Sequence, residues 1–307
     1  MRQSILILYL LLISNSCNTI KYGLFPQNDY GAEIQLGSVN NNVCKKLYGN
    51  IVFYTIFVDT KDTKPWSEYD INSTLDSISK AVAWINKKAI ENNKPLRIEV
   101  HYPQNNHKIP IALDLPKKTL SATLFQIPFS SGLKAVHTWS DKIAVAAAKT
   151  LPPDTSKIVA TRNSITDKER LIARLRDIYQ TDNVALVYFI NNYYKNEMSV
   201  TFNIFSQSDV EYCVVSFKDP SVIAHEFLHL FGAWDLYITP FDNDKEAKKR
   251  KAFAMKEFPN EIMAFAYRSI DSLDLCPFTK YCIGWDKQLD KKYTEMILGK
   301  NIKPVKY

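Results

Sequence analysis

Two kinds of apolar pattern alternate along the chain. Ile51 to Val58 (IVFYTIFV) and Asn183 to Ile190 (NVALVYFI) are nearly continuous apolar, β-branched and aromatic runs. Such runs predict strands buried on both faces, as in a parallel sheet. Between them Ile71, Leu75, Ile78, Val82, Ile85 and Ile90 recur near a 3.6 spacing, which predicts a helix over 71–92. Leu96 to Tyr102 (LRIEVHY) alternates as a half-buried strand does. Trp139 to Leu151 and Asp167 to Tyr179 read as helices. Met198 to Phe205 and Val210 to Phe217 are short β-like runs parted by the polar residues 206–209. A helix can begin at Pro220, because proline is tolerated in the first turn. The order of elements predicts an α/β fold without internal repeats, in two lobes that meet near residue 236.

The start of the chain has another character. Arg2 precedes the unbroken apolar stretch Ile5 to Ile13, and Ser14, Asn15, Ser16 and Cys17 follow. Residues 1–16 have the layout of a bacterial export signal, too short to span a bilayer as a stable helix. A cysteine directly after a small residue resembles the lipobox of bacterial lipoproteins. That resemblance implies acylation at Cys17 and an exported lipoprotein of the cell envelope, periplasmic or at the surface; simple secretion is the alternative. Residues 17–50 are largely polar and read as a tether. Export favours disulfides among Cys44, Cys213, Cys276 and Cys282, and Cys276 and Cys282 are close enough in sequence to close a short loop. Four cysteines allow three pairings, so the connectivity stays open.

Composition narrows the class. At 46% hydrophobic and 23% charged residues, the 307-residue chain excludes a disordered tail, a coiled-coil rod and a collagen-like protein. A net charge of +7, spread along the chain, does not argue for nucleic acid. Asn243 and Glu246 form a capping-box pattern that would start a helix reaching about Phe258, with Lys248 to Lys251 on its solvated face. Asp242-Asn243-Asp244 lacks the spaced ligands of a calcium loop. His101, His107 and His137 are scattered and predict ordinary structural or surface roles. A monomer is expected.

The chemistry concentrates in residues 225–237. His225-Glu226-Phe227-Leu228-His229 is an H-E-x-x-H sequence. On a helix, residues four apart lie one turn apart on one face, so both imidazoles can reach one zinc ion. Glu226 stands beside the first ligand, placed to meet a water at the metal without binding the metal itself. Gly232 follows where the helix must end, and glycine accepts the left-handed conformation of a sharp turn. That turn would return Asp235 as third ligand and leave a fourth position open, the requirement of a catalytic zinc.

The run from His225 to Tyr237 resembles the metzincin zinc peptidases, whose motif is H-E-x-x-H-x-x-G-x-x-H or -D. His225, Glu226, His229, Gly232, Asp235 and Tyr237 match the aspartate version, which is similar to the snapalysin and immune-inhibitor-A-like peptidases. Met263 in Pro259-Asn260-Glu261-Ile262-Met263-Ala264 is the candidate for the family's methionine turn below the metal. The resemblance implies a twisted, mostly parallel sheet with one antiparallel edge strand, long helices and the zinc helix closing an N-terminal lobe over 51–235. A smaller lobe over 236–307 would hold the methionine turn and a C-terminal helix, in Trp285 to Leu298 after a loop over Pro277 to Gly284.

The implied activity is zinc-dependent hydrolysis of peptide bonds in protein or peptide substrates, with Glu226 as general base. Trp234 stands where the two named families usually have proline, and Phe265 where several metzincins have a tyrosine. Tyr237 and Tyr267 are then the candidate transition-state donors. Two other readings remain: a thermolysin-like site with Glu257 or Glu261 as third ligand, and an inactive surface protein that uses the same fold to bind a glycan or protein.

Overall fold

The computed structural model describes residues 47–103, 110–152, 167–181, 183–191, 198–202, 210–238 and 245–298. Cys17, Cys44, His107, the tether before Leu47 and the 242–244 segment lie outside the described residues.

The chain is a mixed α/β protein. Its strands are β1 (Gly49–Asp59), β2 (Leu96–His101), β3 (Ile111–Ala112), β4 (Asn183–Ile190), β5 (Val200–Phe202) and β6 (Tyr212–Val215). They form one sheet in the order β2-β1-β4-β6-β5, with β3 beside the far end of β1. All pairings are parallel except β5 with β6, so the edge next to the site helix is antiparallel. The run 51–58 pairs in register with 183–190 at the centre of the sheet, and both are buried on both faces. This is the outcome their apolar continuity predicts.

Helices cover both faces. On one side lie α1 (Glu68–Glu91) and α5 (Pro220–Leu230), and the Phe53 ring of β1 stacks on Phe227 of α5 at 5.3 Å. On the other lie α3 (Phe129–Ala148) and α4 (Asp167–Tyr179), where Tyr188 of β4 donates its hydroxyl proton to Ser140 O at 3.1 Å. A full capping box opens α1: Ser67 accepts from the Asp70 amide, and Asp70 accepts back from the Ser67 amide. Asp70 also takes an ion pair from Lys218, two residues ahead of α5, and so ties the two helices of that face at their starts.

Several expectations need correction. Ile90 is 76% exposed and Ala89 is buried in its place, because spacings of three and four from Val82 and Ile85 lead to 89. Helix α3 begins ten residues before Trp139, through Ser130-Ser131-Gly132, a stretch with little helical signal. Contact with α2 (Leu120–Leu124) explains this. A Cβ on Gly132 would sit 2.0 Å from Leu124 O, so only glycine lets the two helices meet there. The tether boundary also moves: Leu47 is buried, donates its amide to Ile283 O at 3.0 Å and accepts from the Trp285 indole at 2.6 Å.

Beyond the site, α6 (Lys245–Glu257) matches the expected basic helix, and Lys248 and Lys249 are exposed on it. The expected Pro277–Gly284 loop is instead the short helix α7 (Pro277–Cys282). Cys276 caps α7 through its sulfur and Pro277 takes the first turn. The expected C-terminal helix is reduced to Lys291–Tyr293 and a π-turn, Thr294–Leu298. Cys213, Cys276 and Cys282 are buried thiols. Cys276 and Cys282 stand at opposite ends of α7, about 9 Å apart by helical rise, too far for a disulfide. Among the described residues no helix is long and apolar enough to cross a membrane.

Gly132→Ala is expected to destabilise the fold by about 2 kcal/mol through this overpacking, measured as a lower urea midpoint. An unchanged midpoint would mean that the α2–α3 contact has room to open.

Candidate metal centre

Helix α5 starts as Pro220 predicts and buries all of its residues except Pro220 and His229, which are half-buried. Its C-terminus is closed by two backbone bonds, Gly232 N to His229 O at 3.0 Å and Ala233 N to Leu228 O at 3.1 Å. Gly232 takes φ +96°, the left-handed conformation that reverses the chain. The returning strand is held from below, where Leu236 donates its amide to Met263 O at 2.9 Å.

This backbone brings three side chains together. His225 Nε2 and His229 Nε2 are 3.1 Å apart, and Asp235 Oδ1 is 3.2 Å from the first and 3.1 Å from the second. Each ring's other nitrogen faces a backbone carbonyl: His225 Nδ1 donates to Ile262 O at 3.2 Å and His229 Nδ1 to Ala233 O at 2.8 Å. Those bonds put the protons on Nδ1 and leave both Nε2 lone pairs turned inward. Two imidazole lone pairs and a carboxylate oxygen at such distances repel one another unless a cation or a proton lies among them.

Two imidazole nitrogens and a carboxylate oxygen form a donor set that zinc, among other divalent metals, accepts. Bonds of 2.0–2.1 Å in a tetrahedral arrangement place ligand atoms about 3.3–3.4 Å apart, a few tenths more than found here. His225, His229 and Asp235 are the one group of this kind among the described residues. Side-chain exposure rises from 5% at His225 to 14% at His229 and 31% at Asp235, so the site opens to solvent on the aspartate side.

Glu226 is buried beside this group. Its Oε2 accepts from Thr201 Oγ1 of the edge strand β5 at 2.8 Å. Burial pushes its carboxyl up, against the pull of His229, His225 and the Thr201 hydroxyl. A buried carboxyl with a raised pKa, beside a group that could hold a metal ion, is suited to taking and returning a proton. Thr201 also meets Cys213 Sγ at 2.9 Å and Glu226 O at 3.1 Å, so β5 and α5 are locked together beneath the carboxylate.

Both candidate tyrosines border the site. Tyr237 hydrogen-bonds Asp235, its ring lies 6.2 Å from that of His225, and burial, then Asp235 and Glu226, push its hydroxyl pKa up. Tyr267 stands at the rim with its ring against Phe217, and partial burial near the hydroxyl, then Glu226 and Asp235, push its pKa up. Met263 is fully buried under the returning strand.

The other candidate ligands lie elsewhere. Glu257 pairs with Lys292 at 2.6 Å. Glu261 is buried behind Met263, where its Oε1 accepts from the Met263 amide. His137 meets the Tyr212 hydroxyl and His101 stacks on Tyr179 at 3.9 Å, both structural roles. Sequence reasoning missed Thr201 and the carbonyls of Ile262 and Ala233. Thr201 lies 25 residues from Glu226, and nothing in the linear pattern marks that contact.

Fold and site together define an α/β protein with a His-His-Asp group on a buried helix and the turn after it. Comparison with protein-family models, with curated proteins and with solved structures finds no match.

Free of metal, His229 is lowered by burial, but the Asp235 carboxylate outweighs this and lifts it from 6.5 to about 9. Burial likewise opposes the histidines at Asp235, yet its carboxyl is held far below the ordinary 3.8. The raised histidine contributes stability that is complete below pH 6.5 and is lost as pH climbs through about 9. The depressed aspartate contributes above pH 3.8 and is lost as pH falls through its folded value. In chelator, the melting-temperature advantage of wild type over Asp235→Asn is therefore expected to shrink from pH 6.5 to pH 10. An advantage that stays constant across that range would rule out the ion pair.

Proposed function

We propose that this chain is an exported zinc metalloendopeptidase with a metzincin-like fold, anchored to a membrane through lipid at Cys17. The observation that carries the reading is the convergence of His225 Nε2, His229 Nε2 and Asp235 Oδ1 within 3.2 Å of one another, with the buried Glu226 carboxylate alongside. The mostly parallel sheet, its antiparallel edge strand and the buried Met263 below the site also support it.

His225, His229 and Asp235 would hold the zinc, which would supply Lewis acidity to a scissile carbonyl and to water. Glu226 takes the proton of the attacking water and returns it to the leaving amine. Thr201 holds the Glu226 carboxylate in one orientation through the 2.8 Å bond, which cuts the cost of aligning it. Carbonyl bonds to both Nδ1 atoms keep the Nε2 lone pairs aimed at the metal. An aspartate in place of a third neutral histidine lowers the net charge of the site by one, and a zinc held there would be a weaker Lewis acid. Tyr237, hydrogen-bonded to Asp235, is the nearer tyrosine for meeting developing charge on the substrate. Tyr267 stands at the open rim.

The test is cleavage of a diverse peptide mixture by wild type and by Glu226→Gln. The variant is expected to keep its zinc and lose about 10²–10⁴-fold in kcat/KM; full activity in it would sink the mechanism. Absence of cleavage by folded, zinc-loaded wild type would favour the binding-protein reading. Asp235→Ala is expected to weaken zinc binding by more than the roughly 10–100-fold typical of losing an outer partner. Unchanged affinity would move the third ligand to another residue.

A further inference from the structure

Glu261 is a carboxylate at 1% exposure that the proposed mechanism leaves unused. Its Oε1 accepts from the Met263 amide at 3.1 Å and from Thr279 Oγ1 at 2.9 Å, and its Oε2 accepts from the Cys276 amide. Every one of these partners donates, which suits an ionised carboxylate, an acceptor-only group. Burial pushes the Glu261 carboxyl up, and the Cys276 and Met263 amides and the Thr279 hydroxyl draw it back. A carboxylate held this way is costly to keep for packing alone, since well-packed apolar residues do as well or better.

The position of one partner gives the carboxylate its meaning. The Met263 amide belongs to the peptide unit whose carbonyl, on Ile262, accepts from His225 Nδ1 at 3.2 Å. One planar group thus has Glu261 on its N–H and the first histidine of the site on its C=O. The next carbonyl, Met263 O, holds the amide of Leu236, the residue after Asp235.

We propose that Glu261 is a positioning residue for the metal site, acting on His225 through this single peptide group. Its charge polarises the amide and strengthens the Ile262 carbonyl as an acceptor. The stronger bond holds His225 in its Nδ1–H form and makes Nε2 a better donor to a metal. Histidine ligands are commonly supported by a carboxylate in direct contact; here a peptide bond stands between the two.

The inference rests on the metal-site reading, so the experiment includes a readout that needs no metal. In the full chain, Glu261→Gln keeps the shape and removes the charge. It is expected to lower zinc affinity about 10–100-fold against a competing chelator, to shift the cobalt(II) absorption spectrum, and to move the His225 ring nitrogen signals in metal-free protein. Trp285→Phe removes the indole bond to Leu47 O in the same lobe. It is expected to lower the melting temperature and leave zinc affinity alone.

Thr279→Val separates a relay from a clamp and serves if the glutamine variant does not fold. Without the competing hydroxyl the charge acts more fully on the Met263 amide, so zinc affinity is retained or raised, whereas a simple clamp would loosen and lose affinity. Wild-type zinc affinity together with unmoved His225 signals in Glu261→Gln would overturn the proposal, as would lost affinity in Thr279→Val. If wild type binds no zinc, the metal reading fails, and the relay stands or falls on the His225 signals alone.

Discussion

Three ligand-type atoms that tolerate one another only with a proton or a metal ion among them are held in a triangle with sides of 3.1–3.2 Å, and much of the surrounding structure keeps them there. Without metal, the proton that Asp235 keeps on His229 offsets the repulsion between the facing groups. The arrangement persists because each participant is fixed from behind. His225 is held by the Ile262 carbonyl, His229 by the Ala233 carbonyl, and Asp235 by a backbone that reverses at Gly232 and is caught at Leu236. A site prepared in this way meets a cation with little left to reorganise, which is what strong binding and catalysis both require.

Rigidity comes from burial. Helix α5 lies against the sheet through Phe227, stacked on Phe53 of β1 and tilted against Phe231, and against β5 through the hydroxyl of Thr201. From the C-terminal side, the 261–263 turn closes over the histidines, and α7 closes over the turn through Glu261. A polar spine therefore runs from the edge strand through Glu226 and the histidines to a buried carboxyl on Glu261. Along it lie Glu226, the His225 and His229 pair, Asp235 on the open side, and Glu261 behind the peptide. Burial raises Glu226 while the histidines draw it back, so its carboxyl can exchange a proton beside the candidate metal site.

Much of this was legible in the linear pattern because the signals are local. Apolar continuity marked β1 and β4; Pro220 marked the start of α5 and Gly232 its end. The i, i+4 spacing of His225 and His229 puts them on one face of a helix regardless of what surrounds it. Signals failed where two distant segments decide the outcome. The start of α3 depends on how close α2 comes to Gly132. In α1, Ala89 rather than Ile90 turns inward, because helix phase outranks side-chain hydrophobicity. Helix α7 was hidden because a cysteine supplied its cap and proline its first turn, a start signal easily taken for a loop.

By itself the sequence determined the α/β order of elements, the buried central strands and the candidate chemistry of residues 225–235, since each depends on spacing within one element or one turn. Tertiary structure alone decided which groups support that chemistry. Thr201 lies 25 residues before Glu226, and Ile262 lies 37 residues beyond His225. Glu261, one of two glutamates that spacing alone left open as ligands, faces away from the histidines because the turn presents its carboxylate to the Met263 amide and to α7. Hydrogen bonds between remote segments exist only once the lobes have packed, and no periodicity in the chain encodes them.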